Sequence, residues 1–451
     1  MIETRDKATI NLSHGSSPEW FPQWLTDLRA QAWQAYLDAP MPDGRAEDWR
    51  KVDLNSLEAM SLAQTYAFET QKQLPLEEIT SQANLLYKEG VARSAFLHQS
   101  PKGSFSEQNE PTLKSGVIFC DLKQAIEKHQ DKLRPILEKL YLNSTSDKFT
   151  LLNRALFNCG WFLFVPDNVQ LESPIIASMA FTADADRVKG DASPTFLHLA
   201  VISVGANSSA NVINLLEGET SGNTKIVNSG IIDATIGNGG KATYFELSKF
   251  DSGTYSLLYS RNRLQANATF KSLSVALGGA LVKSDITTVL QDRGSHSQIL
   301  GVVLGDNNDQ YNFNTVQEHK SPDTTSDINF RVALKDSSTS MYRGTIYIDK
   351  VAQRTEAYQS NKNLLLGNGA KADSIPKLEI LADDVKCSHG ATVGPIDQDQ
   401  VFYLNSRGLP LTEAEELIVA GFFNKVVEQF PLGEIKDFVA GAISDKIHGK
   451  N

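Results

Sequence analysis

One stretch of the sequence sets a thiol beside an imidazole: Lys386-Cys387-Ser388-His389-Gly390-Ala391-Thr392-Val393-Gly394. On a β-strand, residues i and i+2 share a face with Cα atoms about 7 Å apart, so Cys387 and His389 can point into one space. Thiolate and imidazole suit soft and borderline metals such as iron and zinc. Two ligands do not close a site, since zinc normally takes four, so the remaining donors would have to come from elsewhere in the fold or from another chain. The plain alternative is a packed cysteine next to a hydrogen-bonded histidine.

Other chemistry is sparse. His14, His98, His129, His198, His296, His319 and His448 are isolated in sequence and read as structural or solvated. Asp383-Asp384 and Asp397-x-Asp399 could flank a scissile sugar bond, the pattern of a carbohydrate-active β-helix enzyme, or serve as charged turn residues. The stretch Thr235–Ala242 has Gly240-Lys241 but lacks the first glycine and the metal-binding hydroxyl of a phosphate loop. A GxSxG nucleophile elbow is also missing. The chain is expected not to hydrolyse nucleotides itself.

Composition narrows the setting. With 43 basic and 54 acidic residues the net charge is −11, which repels nucleic-acid backbones and argues against such a partner. At 41% hydrophobic and 22% charged, the chain reads as an ordinary folded, soluble protein. Cys120, Cys159 and Cys387 are too few and too scattered for a disulfide framework, which suggests a reducing compartment. Neither a signal peptide nor an apolar run of membrane-spanning length is read, so no membrane partner is expected and a cytoplasmic location is the default.

Three textures position the candidate residues. Ser17-Pro18-Glu19 predicts a helix start, followed by Trp20, Trp24, Leu28, Trp33 and Leu37 at helical spacing until Pro40 and Pro42. From about Leu151 the composition becomes strand and turn. Between Ala192 and Gly240 only Glu217, Glu219, Lys225 and Asp233 are charged. Period-two alternation recurs at Leu197/Leu199/Val201, Leu273/Val275/Leu277, Ile286/Thr288/Leu290, Tyr311/Phe313, Ile328/Phe330/Val332/Leu334 and Gly344/Ile346/Ile348. Asn- and Gly-rich breaks separate these strands without intervening helices. A sandwich, a barrel or a stacked solenoid fits, with asparagine corner ladders if the strands stack. No strict repeat length is present.

Helical spacing returns after Gly408. Thr412-Glu413-Ala414-Glu415 predicts a capping box, and Ala414, Leu417, Ile418, Gly421, Phe422, Lys425 and Val426 form one stripe up to Pro431 and Gly433. Ile435, Phe438, Val439, Ala442 and Ile443 mark a second helix. This hairpin must cover its apolar faces against the body or another protein.

Three ordered blocks carry a family resemblance. Lys386–Gly394, continued by Ile396-Asp397 and Phe402-Tyr403-Leu404-Asn405-Ser406-Arg407-Gly408, resembles the C-terminal signature of the SufB/SufD family of iron–sulfur cluster assembly proteins. Glu47-Asp48-Trp49-Arg50 resembles the family's N-terminal acidic-Trp-basic motif, and Asn153–Pro166 resembles the start of its solenoid. His-Gly-Ala-Thr at 389–392 and Tyr-Leu at 403–404 resemble the SufD branch of the family more than the sister branch, which typically has His-Glu-Ala-Thr and Tyr-Cys.

The resemblance implies a mainly β fold: a right-handed parallel β-helix over 151–405, between an N-terminal helical region at 1–150 and a C-terminal helical domain at 406–451. It implies a non-catalytic subunit that pairs with a SufB-like sister through the last strands of the two solenoids. A SufC-like ATPase would dock on the C-terminal helices through Leu417, Ile418, Phe422 and Val426. His389 would hold iron or a nascent iron–sulfur cluster at the heterodimer interface, with a partner thiolate, while Cys387 is a weaker candidate ligand. A flavin in the assembled complex and a homodimer without the partner are compatible with the resemblance. So are a bacterial cytosol and a plastid stroma. A purely architectural subunit, in which His389 binds no iron, is the nearest competing expectation.

Overall fold

The chain turns its corners where its residues tolerate positive φ. Asn168, Asn207, Asn267 and Asn307 have φ values of 62°, 52°, 57° and 49°, left-handed values that asparagine accepts more readily than most residues with a Cβ. Asn207 donates its side-chain amide to Asn168 Oδ1 at 3.4 Å and its backbone N–H to the Asn238 carbonyl at 2.8 Å. Each corner therefore rests on the next, and the chain stacks as a solenoid.

The computed structural model describes residues 20–52, 54–58, 62–64, 73–75, 79, 86, 93–142, 147–182 and 193–449. The first part contains α1 (Gln23–Asp38), α2 (Leu54–Glu58), β1 (Leu62–Gln64), β2 (Ala95–Ser100), β3 (Gly103–Gln108) and α3 (Glu110–Lys114). β4 (Ile118–Asp121), α4 (Leu122–Lys128), α5 (Gln130–Tyr141) and α6 (Lys148–Leu156) follow. The winding strands begin with β5 (Cys159–Val165), β6 (Ile175–Thr182), β7 (Ser193–Val204), β8 (Ser209–Glu219), β9 (Ile226–Ile236) and β10 (Lys241–Phe250). β11 (Thr254–Leu264), β12 (Thr269–Leu277), β13 (Leu281–Leu290), β14 (His296–Gly305) and β15 (Gln310–His319) continue them. The last coils are β16 (Thr325–Leu334), β17 (Thr339–Ile348), β18 (Thr355–Leu365), β19 (Lys371–Ile380) and β20 (Val385–Pro395). The chain then forms α7 (Gln398–Ser406), α8 (Leu411–Val427) and α9 (Gly433–Ile447).

Odd and even strands segregate into two sheets. One runs β19-β17-β15-β13-β11-β9-β7-β5-β4 and the other β20-β18-β16-β14-β12-β10-β8-β6-β2-β3, with parallel pairing from β5 to β20. This is the parallel β-solenoid with flanking helices that the resemblance implies, and it resolves the three-way choice left by the strand pattern. Coil length varies: Tyr255 pairs with Leu281, 26 residues on, while Thr195 pairs with Val227, 32 residues on. No strict repeat was legible because the corners differ in length.

Apolar packing is three-layered. A core lies between the sheets and contains Trp161, Ile232, Phe270, Ile286, Tyr311, Phe330 and Tyr342. The N-terminal helices cover the outer face of the odd sheet, where Leu197, Leu199 and Val201 pack beneath them. The C-terminal hairpin covers the even sheet over Leu273, Val275 and Leu277. These last two triplets alternate as expected yet face outward, because a covered wall is apolar on both sides.

Helix faces differ from those read in sequence. In α1 the buried residues are Leu25, Arg29, Ala32 and Tyr36, while Leu37 is exposed; Ser17–Glu19 lie outside the described residues. Buried Arg29 donates to the Phe157 carbonyl at 2.8 Å. α8 starts at Leu411 with Pro410 as N-cap and no side-chain cap bond, so Thr412 lies inside the helix and no capping box forms. Its buried stripe is Ala414, Val419, Phe423, Val426 and Val427, rotated from the expected one.

Candidate functional site

The Cys387/His389 stretch forms β20, the last strand of the even sheet. It pairs only with β18 among the described residues, with Ala357 opposite Cys387 and Gln359 opposite His389. Following the ladder downwards, His389 continues the row of Gln359, Ile328 and Ile299, and the last two are core residues. Cys387 and His389 therefore share the inward side of the strand. As β20 ends the ladder, that side opens outward and His389 is exposed.

Cys387 is half-buried against Ile346, Ile348, Ala357 and Ala382. Burial pushes its thiol pKa up, against a smaller opposing effect from a backbone hydrogen bond with Ala357. A raised pKa keeps the sulfur protonated in the free chain, so metal binding there must displace a proton. Among the described residues no group of three or more His, Cys, Asp or Glu side chains is placed to hold a metal ion. The pair remains an incomplete ligand set within this chain.

Several apolar side chains are exposed at this end, and among the described residues the outer edges of its last strands are unpaired. Ile380, Leu381 and Val393 are exposed on the last two strands and the turn between them, and β19 ends the odd sheet as β20 ends the even one. Unpaired outer strands offer rows of N–H and C=O groups to another strand.

The Glu47–Arg50 motif reaches the same end from the N-terminal side. Asp48 accepts from Arg343 Nη1 at 3.0 Å, and the Arg50 carbonyl accepts from Asn312 Nδ2 at 3.3 Å. Gln310 Nε2 donates to the Lys51 carbonyl at 3.0 Å, and Lys51 pairs with Asp373 of β19. Trp49 is buried with the Lys283 ammonium 4.8 Å from its ring centroid. The motif thus clips the N-terminal region onto the outer face of the last coils.

Three of the other histidines are buried in structural settings. His98 contacts Ser178 Oγ at 3.1 Å, His198 contacts Asn228 Oδ1 at 2.9 Å, and His319 contacts Thr324 and Ser326 at 2.7 and 2.9 Å. Burial lowers their pKa values to about 4, about 4 and about 3. Asp397 is the N-cap of α7, accepting from Asp399 N and Gln400 N at 3.0 and 3.4 Å. That accounts for one of the paired acids without catalysis.

The C-terminal residues separate into two faces. Leu417 is 52% exposed, and Ile418 and Phe422 are half-buried, with Arg331 4.9 Å from the Phe422 ring centroid. Val426 is fully buried in the cluster shared with Leu273 and Leu300. It anchors the hairpin to the solenoid, so its expected exposure to a partner is corrected. Phe402 and Tyr403 on α7, 73% and 56% exposed, were read as motif positions and not as surface. Their signal was two adjacent aromatics in a short helix with little room to bury both.

Residues 187–422 match the family described as SUF system FeS cluster assembly, SufBD core domain, and residues 14–176 match the SufBD protein N-terminal region. The chain is 28% identical over 432 residues to the iron–sulfur cluster assembly protein SufD of Bacillus subtilis, covering 94% of each. It is 24% identical over 421 residues to SufB of the same organism, covering 91% of this chain and 87% of that one. A SufBD family protein of Staphylococcus epidermidis is 24% identical over 424 residues, with the same two coverages.

Proposed function

The chain belongs to the SufB/SufD family of iron–sulfur cluster assembly proteins, and from that premise we propose that it acts as a SufD-like, non-catalytic scaffold subunit. The observation that carries this reading is the open last coil, where His389 and Cys387 share the inner face of β20 and His389 is exposed. A SufB-like sister would add its own terminal strands to β19 and β20 and complete the ligand set with a thiolate. Iron or a nascent cluster is then cargo at the junction, held on this side by the His389 imidazole and, as a weaker candidate, by the Cys387 thiolate.

A SufC-like ATPase would dock on the outward side of the C-terminal helices, through Leu417 with Phe402 and Tyr403, and with Ile418 and Phe422 at its border. Nucleotide-driven approach of the ATPase subunits would pull this hairpin. Lys446 passes the pull to the solenoid through Asp306 at 2.5 Å and Asp309 at 3.2 Å. The free energy comes from the ATPase's differential affinity for two arrangements. Bacterial relatives support a cytoplasmic setting, with a plastid stroma as the alternative should the chain be organellar.

Anaerobic co-expression with the SufB-like and SufC-like partners tests the reading. His389→Ala is expected to leave the complex intact on gel filtration and to lower its bound iron. Unchanged iron would make the subunit architectural, and failure of the wild-type chain to form the complex would overturn the partner assignment.

A further inference from the structure

Directly below the terminal strand the inner wall changes chemistry. On β16 the inward residues Ile328, Phe330 and Val332 are buried and apolar. Stacked on them in β18 are Gln359, Asn361 and Asn363, at 4%, 1% and 4% exposure. β20 then sets His389, Ala391 and Val393 over the same three positions, one strand spacing or about 4.8 Å away. Three carboxamides thus form a floor under the open end.

Buried amides are costly unless their N–H and C=O groups are paired. Asn363 Nδ2 donates to Asn361 Oδ1 at 2.7 Å and to the Thr392 carbonyl at 3.0 Å. Gln359 Nε2 and Oε1, Asn361 Nδ2 and Asn363 Oδ1 have no hydrogen-bond partner among the described residues. Gly344 of the opposite wall makes room for the Gln359 amide, since a Cβ there would stand 2.3 Å from Nε2. The coil beneath fills the equivalent rows with hydrocarbon, so packing alone does not call for amides here.

We propose that Gln359 and Asn361 are hydrogen-bond donors to a sulfide-bearing anionic cargo at the open end, their amide N–H groups meeting sulfur while His389 meets iron. This rests on the cluster-holding reading above and extends it from metal ligation to sulfide recognition. Hydrogen bonds to sulfur tune the stability and potential of iron–sulfur clusters. Neutral amides supply them without adding charge to the buried wall.

The test uses the full chain, alone and in the anaerobic complex with its SufB-like and SufC-like partners, with Gln359→Met, Asn361→Leu and the double variant. Because the Gln359 side-chain amide has no partner among the described residues, Gln359→Met alone is expected to unfold at the same urea concentration as wild type or a higher one, whereas Asn361→Leu also removes the acceptor of the 2.7 Å bond from Asn363. In the complex the double variant is expected to lose acid-labile sulfide several-fold and to shift the visible absorption of what remains. A lower urea midpoint for Gln359→Met would overturn the proposal by showing that this amide is structurally paired through water. Unchanged sulfide and absorption in the complex would overturn it too. His389→Ala run in parallel keeps the readings apart: iron unaffected by that variant removes the ligation reading, while sulfide lost with the amides still upholds the floor.

Discussion

Acidification from pH 7.5 to 5.0 should expose the cost of charging His319. Its imidazole is fully buried, and both ring nitrogens are engaged by hydroxyls, Nδ1 with Thr324 and Nε2 with Ser326. Burial lowers its pKa from 6.5 to about 3. The unfolded chain takes up a proton below pH 6.5 while the folded chain does not, so this stabilisation is complete above 6.5 and is lost progressively as pH falls towards 3. At pH 5.0 the unfolded residue is about 1.5 units below its pKa, and at roughly 1.4 kcal/mol per unit the loss is about 2 kcal/mol. The assay is urea unfolding followed by tryptophan fluorescence at the two pH values, for wild type and His319→Gln. The variant loses about 1 kcal/mol at pH 7.5 through poorer hydrogen bonding, but its decline between the two pH values should be smaller by about 2 kcal/mol. Other titrating groups contribute to both proteins and cancel in that difference. Equal declines, within roughly 0.5 kcal/mol, would refute the reasoning by showing that the ring accepts its proton at no cost when folded.

Three further outcomes follow from the packing. Phe423→Ala should cost about 3 kcal/mol or more and speed hydrogen exchange across α8 and α9, whereas exposed Leu417→Ala should leave the free chain's exchange unchanged and weaken ATPase binding in a pull-down. Lys283 is fully buried and pairs with Asp285 at 2.5 Å. Lys283→Met alone should therefore cost about 3–5 kcal/mol in urea unfolding, with much of it regained in Lys283→Met/Asp285→Asn. His389→Ala should leave the thermal midpoint of the free chain within about 1 °C, because an exposed surface side chain contributes little to stability; a large drop would show a structural role.

Legibility followed the range of the interactions. The strand-and-turn texture and the asparagine corners are local preferences, so they were plain in sequence, and the i and i+2 spacing of Cys387 and His389 did put both on one side of β20. The inward or outward sense of Leu197/Leu199/Val201 was not legible, since a wall packed on both faces is apolar on both. The same limit misplaced Val426: a helical stripe wide enough to include it and Leu417 does not say which edge touches the body. Phe402 and Tyr403 were visible as a motif, but their exposure depends on how α7 leaves the last coil.

By itself the sequence determined the family blocks, the solenoid texture and a two-ligand set too small to close a metal site, because residue type and near-neighbour spacing carry those directly. Only the tertiary structure decided that among the described residues no coil stacks beyond β20, that His389 is therefore exposed on an inner face, and that Gln359, Asn361 and Asn363 lie beneath it. Those facts depend on which strand pairs with which across coils of 26 to 39 residues. A register between segments so far apart is set by the summed packing of the stack, and no short stretch of the chain encodes it.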